Sequence, residues 1–480
     1  MNEMRRREQM RRAVGISMLL GLLTGAVLAG RTVSAEAAPN LLLVTFDDMN
    51  ADSAGHMGGR FGATPNLDAF ASKAFVFERS QVTVPICQPC REALLTGRVP
   101  HRNGGLGFNP IRLDVPTMVE VLRDRGYFTA AVEKVAHMQP ASKFPWSLTL
   151  SGAGKNPPKM RSSMEQCLKA AADSGKPFFI NANITDPHRP FPGVALGPRQ
   201  AARPNAQTAE PDHVYKPEEI AVPSFLEDLP NIRKEVAQYL TGVRRGDQSF
   251  RQIMEALSAA GRERDTVVLV MSDHGMSFPF SKATCYRNGT WSPFLLRWPG
   301  MPAPRRDRRN MVSSVDLMPT LLELLGAPAP EGMDGRSLTP LLRGEERAVR
   351  EFAITHVNTV SSGKSFPQRC VRTLTHSYLW QGWPDGTPKF RVEAMGGLSF
   401  NALVEAAKTD ERIRARVTQL QTGVHEQFFD LTKDPDERKN VIDDPAYRAE
   451  RDRLRGILRE HMTRTDDPEL PNFQSTVKAD

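Results

Sequence analysis

The sequence predicts an α/β fold: a large, mostly parallel sheet flanked by helices, with a smaller α+β domain after it. Three observations carry this expectation. Asn40-Leu-Leu-Leu-Val-Thr-Phe46 is an unbroken apolar run of strand length, and similar runs recur over residues 127–132, 177–184, 266–271 and 293–298. Runs of this kind mark strands buried on both faces, as in parallel sheets. Helical patterns separate them, over residues 64–74, 117–125, 163–174, 233–260 and 315–325. Strands that alternate with helices build a doubly wound sheet. Beyond residue 346 the pattern shortens into strand-like runs such as 352–357 and 377–381, and it ends in a helix over 446–463. The expected boundaries are therefore a large N-terminal domain over residues 38–345 and a smaller C-terminal domain over 346–480.

Each part of the chain supports a step in that division. With 480 residues, the chain is long enough for one large core and a second, smaller unit. Arg5, Arg6, Arg7, Arg11 and Arg12 precede an apolar stretch over residues 14–29, too short for a comfortable membrane span. Val33-Ser34-Ala35 and Ala35-Glu36-Ala37 follow as small-x-small cleavage sites. Residues 1–35 read as a signal peptide, with an uncleaved anchor as the alternative. The protein is expected to be exported, periplasmic or secreted, with no membrane span after cleavage. The stretch over 193–230, rich in Pro, Gln, Glu and Asp, reads as a long surface excursion, and loops of that length tend to carry function.

The net charge of +8 is misleading until the leader is removed. Residues 1–35 hold six basic and two acidic side chains, so the mature chain is only about +4. That balance gives little support to a nucleic-acid partner and weak support to an anionic substrate. Five cysteines rule out a disulfide scaffold, and the odd count leaves at least one thiol unpaired or modified.

In open α/β sheets, ligands bind beyond the carboxyl ends of the strands. The candidate strands deliver polar residues to that edge: Asp47-Asp48 after the first, Lys134 and His137 after the second, Asp186-Pro-His188 after the third and Ser272-Asp273-His274-Gly275 after the fourth. Singly, an acid pair is a cap, a loop lysine is solvated and Asp-His-Gly is a tight turn. Four such endings on one edge favour a site. Asp47, Asp48 and Asp273 suit a hard divalent cation with oxygen ligands.

Cys87-Gln-Pro-Cys-Arg91 allows three readings: a redox pair, half a zinc site, or a frame around one special cysteine. Zinc lacks a second Cys-x-x-Cys. A thioredoxin-like pair follows an early strand in a short domain, which this is not.

With these residues assembled, the chain resembles the sulfatase family. The family's core motif, Cys-x-Pro-x-Arg followed by Leu-Leu-Thr-Gly, stands here as Cys87-Gln-Pro89-Cys-Arg91 and Leu94-Leu-Thr-Gly97. The likeness continues through Asp47-Asp48, Thr64-Pro-Asn-Leu-Asp68, Lys134 with His137, Asp186-Pro-His188, Ser272-Asp-His-Gly275, Asp316-Leu-Met-Pro-Thr320 and Phe429-Asp-Leu-Thr-Lys-Asp-Pro435. The spacing from Asp273 to Lys282 is most similar to the heparan N-sulfatase (sulfamidase) branch.

The resemblance implies an alkaline-phosphatase-like fold and a sulfuric ester or sulfamate hydrolase acting on a sulfated saccharide. It implies that Cys87 is oxidised to formylglycine by a formylglycine-generating enzyme. One hydroxyl of the hydrated aldehyde then attacks sulfur, and deprotonation of the other expels sulfate. Asp47, Asp48, Cys87, Asp273 and His274 are the implied metal set, for Ca²⁺ with Mg²⁺ as the alternative. Arg91 and Lys134 would neutralise charge, and His137 would orient the hydrate or take its proton. His188 and Lys282 would face the sulfate and its leaving atom, one of them donating a proton. Arg189 or the 193–230 excursion would hold the rest of the sugar.

Two positions depart from the family: Cys90 stands where Ser is usual, and His274 where Asn is common. The first keeps a Cys87–Cys90 disulfide open. Two alternatives remain: a phosphonate or phosphodiester hydrolase of the same superfamily, and an exported redox or inactive glycan-binding protein.

Overall fold

The computed structural model describes residues 38–194, 208–345, 350–384 and 387–477. The expected leader lies outside these residues. Fourteen strands are described. In the N-terminal part they are β1 (Asn40–Asp47), β2 (Phe75–Phe77), β3 (Ser80–Gln81), β4 (Phe128–Val132), β5 (Leu148–Leu150), β6 (Phe178–Pro187), β7 (Thr266–Ser272), β8 (Phe294–Arg297), β9 (Arg305–Asp307) and β10 (Val312–Ser313). The C-terminal part supplies β11 (Ala353–Thr359), β12 (Ser365–Arg372), β13 (His376–Gln381) and β14 (Glu426–Asp430). The large sheet has eight strands in the order β5-β4-β6-β1-β7-β8-β2-β9.

Every residue of β1 is buried, which explains its continuous apolar run. It lies between β6 and β7, parallel to both. The register sets Asp47 opposite Pro187 and Phe46 opposite Ser272, so three strands end side by side. Strand β4 is parallel to β6, with Val132 opposite Ala182, and it ends just short of the same edge. That register brings the four polar endings together.

Strand β8 runs antiparallel to β7. Its apolar run has the composition of a parallel-sheet strand because it too is enclosed on both faces. Composition reports burial, not direction. The 30-residue helix Pro230–Ala259 lies across β6. At Gly246 the approach is so close that an added Cβ would stand 3.2 Å from the Asp186 Cβ. The described part of the 193–230 stretch does not simply lie on the surface: Tyr215, Ile220, Phe225 and Leu226 are buried in the core.

The C-terminal sheet is antiparallel, in the order β11-β12-β13-β14. Its side chains alternate between two cores. Val371, Tyr378, Trp380 and Phe428 pack with Leu454, Leu458 and Met462 of the helix Arg448–Arg464. Their neighbours Cys370, Leu379 and Phe429 belong to the main core. Period-two alternation thus joins the sheet to the rest of the molecule. Both sheets lie within one compact unit, Pro39–Asp480.

Candidate active site

Asp47 closes β1, and Asp48 follows it at φ +70°, a left-handed conformation few non-glycine residues adopt. The turn aims the Asp48 N–H at the Asp273 carboxylate, 3.1 Å away. Cys87 begins the wholly buried helix Cys87–Thr96, where amide dipoles favour negative charge. Its Sγ lies 3.5 Å from Asp47 Oδ1 and 3.2 Å from His274 Nε2. Cys90, one turn on, points elsewhere and donates to the Asp273 carbonyl at 2.8 Å. Both cysteines are free, so the pair forms no disulfide here. Burial and the neighbouring Asp47 push the Cys87 thiol well up. It is therefore a protonated thiol, a poor nucleophile as it stands.

Cations surround these acids. Arg91 Nη2 lies 2.9 Å from Asp273 Oδ2 and 3.8 Å from Asp47 Oδ2, while Nη1 donates to Asn183. Lys134, at φ +54°, places its ammonium on Asp47. Lys282 lies 2.9 Å from Asp48 and 3.0 Å from Glu393. Burial pushes Asp47 up, but Lys134, His188, Arg91 and Lys282 together hold it well below the usual carboxylate range. At Asp48 burial wins over Lys282 and His274, and the carboxyl rises to about 6.

Two histidines face the cavity. His137 stands edge-on to Phe108, and its buried Nδ1 has no hydrogen-bond partner among the described residues. Burial, then Lys134 and Arg91, pulls it down to about 3. His188 Nδ1 lies 2.6 Å from the Arg189 carbonyl oxygen. A carbonyl only accepts, so Nδ1 carries the proton and Nε2 is left open toward Glu393 Oε2 at 3.7 Å. The His188 turn is anchored by Asp186, which takes two hydrogen bonds from Arg245 at 2.7 and 3.0 Å. Lys155 also donates to the His188 and Pro190 carbonyls.

The donor set fits a hard cation. One ligand atom each from Asp47, Cys87, Asp273 and His274 lie within 4.8 Å of one another, and Asp48 borders the same cluster. His274 Nδ1 lies 3.0 Å from the Gly275 carbonyl oxygen. That contact fixes the proton on Nδ1 and turns the Nε2 lone pair toward Cys87, Asp48 and Asp273. Among the described residues, Asp47 Oδ2 and Asp48 Oδ1 are buried without a well-aligned hydrogen bond, although ammonium groups stand near them.

A cavity of about 390 Å³ opens above Cys87, walled by Lys134, His137, His188, Lys282 and Phe108. All the residues singled out from the strand ends and the cysteine motif therefore converge. Arg189 does not join them. Its guanidinium donates to Glu235 at 2.7 Å and to the Ser277 carbonyl at 2.8 Å and stacks over Phe191. It is engaged within the fold and does not reach the cavity wall. Sequence reasoning missed Asn183, Phe108, Ser361 and Glu393. Asn183 could have been found as a polar side chain inside the apolar β6 run into Asp186.

A family sequence profile described as Sulfatase matches residues 39–327, more than half the chain. Over 465 residues the chain is 27% identical to the N-sulphoglucosamine sulphohydrolase of Homo sapiens, covering 89% of this chain and 91% of that protein. A solved 2-O GAG sulfatase superposes with a TM-score of 0.68 at 21% identity, covering 92% of this chain and 95% of that one. A phosphonate monoester hydrolase of Agrobacterium radiobacter superposes with a TM-score of 0.66 at 16% identity, covering 89% and 96%. The shared fold alone does not separate sulfur from phosphorus chemistry.

Proposed function

We propose, from the premise that this chain belongs to the sulfatase family, that it is exported, that Cys87 matures to formylglycine, and that it releases inorganic sulfate from a sulfated saccharide. The observation that carries this reading is the position of Cys87. It is a buried helix-start residue beside Asp47 and His274, among carboxylates that Arg91, Lys134 and Lys282 hold, and it lines a cavity of ligand size. A cysteine whose thiol stays protonated makes little sense there as a nucleophile. A hydrated aldehyde does, because its second hydroxyl provides the route that expels sulfate.

Asp47, Asp48, Asp273, His274 and the converted Cys87 side chain would hold the cation, Ca²⁺ before Mg²⁺ because so many protein ligands leave little room for the waters that Mg²⁺ keeps. Bound there, it would polarise a sulfate oxygen and lower the pKa of the attacking hydroxyl. Arg91 keeps Asp47 and Asp273 aligned. Lys134 offsets the charge of Asp47 beside the reacting carbon. His137, with its free Nδ1, orients the hydrate. Lys282 offers N–H groups to the sulfo oxygens, and His188 Nε2 faces the leaving oxygen or nitrogen. Likeness over 89% of the chain to an N-sulphoglucosamine sulphohydrolase supports a sulfated amino sugar as substrate, O- or N-linked. A formylglycine-generating enzyme acts on the chain during maturation.

Sulfate release from glucosamine sulfates and from heparin-type, chondroitin-type and algal oligosaccharides tests this, with a phosphonate ester run in parallel. Release from at least one saccharide, with an aldehyde mass at Cys87, is expected. Fast phosphonate cleavage with no sulfate released from any saccharide would overturn it.

A further inference from the structure

Glu393 reaches the cavity from the C-terminal part of the chain, at the start of the short turn Glu393–Gly396. It is the acidic side chain among the described residues that line the cavity wall. The site's other carboxylates are buried, whereas the Glu393 side chain is 40% exposed. Its Oε2 lies 3.0 Å from Lys282 Nζ and 3.7 Å from His188 Nε2. It thus stands between the two groups assigned to the sulfo group and to the leaving atom.

The charge count at this point is unequal. The Lys282 ammonium also lies 2.9 Å from Asp48, so one positive charge faces two carboxylates. The ammonium has three N–H donors, of which Asp48 and Glu393 take two, so a sulfo group entering the cavity shares Lys282 with Glu393. An ionised carboxylate accepts hydrogen bonds and donates none. Exposed toward the cavity, the Glu393 carboxylate is placed to accept from an N–H or O–H of the substrate itself.

We infer that Glu393 selects the sugar: its carboxylate accepts a hydrogen bond from a free hydroxyl or ammonium on the ring that carries the scissile sulfo group, and rejects a ring bearing a second anion. The inference rests on the saccharide-sulfatase reading above. A second sulfate offers no donor and places like charge against like charge within a few ångströms, in a cavity only partly open to water. The assignment makes Glu393 a specificity residue, with the chemistry left to the groups around Cys87.

The test compares sulfate release from glucosamine N-sulfate, glucosamine 6-sulfate, the N,6-disulfate and the N,3-disulfate. Each kcat/KM is divided by that of the same protein on a small aryl sulfate, so a general loss of activity cancels. The wild-type protein is expected to favour a monosulfate over the disulfates that contain it. Glu393→Gln, which keeps shape and removes charge, should narrow that ratio tenfold or more, chiefly through KM, while Glu393→Asp keeps part of it. A ratio unchanged in Glu393→Gln, or a wild-type preference for the disulfates, overturns the inference and leaves the sulfatase reading standing. Sulfate released from none of these four sugars, alongside release from another saccharide class, also overturns this inference and leaves the sulfatase reading standing; that reading falls only if no saccharide is desulfated.

Discussion

The Nδ1 of His274 lies 3.0 Å from the carbonyl oxygen of Gly275, and this single contact decides which face of the imidazole the carboxylate cluster meets. With the proton held on Nδ1, the Nε2 lone pair points at Cys87 Sγ, 3.2 Å away. The residue that stands where Asn is common in the family thus has its Nε2 turned to the cluster by the backbone of the next residue.

Removal of that donor should weaken cation binding. Addition of Ca²⁺ to chelator-treated protein is expected to raise the Tm, and His274→Ala should lose most of that rise. His274→Asn should keep more, since its amide oxygen can coordinate a hard cation. A full Ca²⁺-dependent shift in His274→Ala, measured by thermal unfolding, would remove His274 from the cluster.

The two cysteines of the motif should separate cleanly. Cys87→Ala should abolish turnover while the Tm barely changes, because its sulfur faces the carboxylates and not an apolar layer. Cys90→Ser should keep most activity, since a hydroxyl can replace the thiol as donor to the Asp273 carbonyl. Equal loss in both variants, in sulfate release and in the mass of the peptide spanning residue 87, would return the redox-pair reading.

Legibility in the sequence followed locality. Asp47 and Asp273 were visible because each ends an unbroken apolar run, and burial on both faces writes itself into composition. The turn of β8 against β7 was not visible, because an antiparallel strand enclosed on both faces has the same composition as a parallel one. Arg189 looked available as a basic residue beside a site motif. Its partner Glu235 lies on a helix 46 positions away, and no local pattern announces such a pairing. Glu393 had no motif around it and reaches the cavity only because the C-terminal part folds back over the strand ends.

A histidine group outside the active-site cavity should make the protein acid-sensitive. The His356 ring centroid lies 5.6 Å from that of His101 and 5.2 Å from that of His461. Burial pulls His101 down to about 4 and His461 to about 3. In the unfolded chain each titrates near 6.5, so below that pH the unfolded state binds more protons than the folded one. Their contribution is therefore complete above about pH 6.5 and is lost as pH falls through 4 toward 3, with roughly 2.5 kcal/mol per histidine gone by pH 4.5. Calorimetry across this window should show a falling Tm, with a shallower slope in His461→Gln. A Tm independent of pH between 6.5 and 4.5 contradicts the argument.

The last expectation concerns how His188 is held. Asp186 and Arg245 form a two-point pair at 2.7 and 3.0 Å, both side chains almost fully buried. Arg245→Met removes the cation and leaves the Asp186 carboxylate buried, with Lys155 at 3.6 Å as its nearest remaining charge. Breaking such a pair from one side costs about 3–5 kcal/mol, whereas replacing both partners can be close to neutral. The double variant Asp186→Asn with Arg245→Met should therefore regain much of the lost Tm. It should not regain kcat, because neither new side chain restores the two-point anchor that sets the His188 turn. Thermal unfolding and steady-state kinetics on the single and double variants separate the two effects. A double variant restored in both Tm and kcat would show that the pair supports the fold and has no part in placing His188.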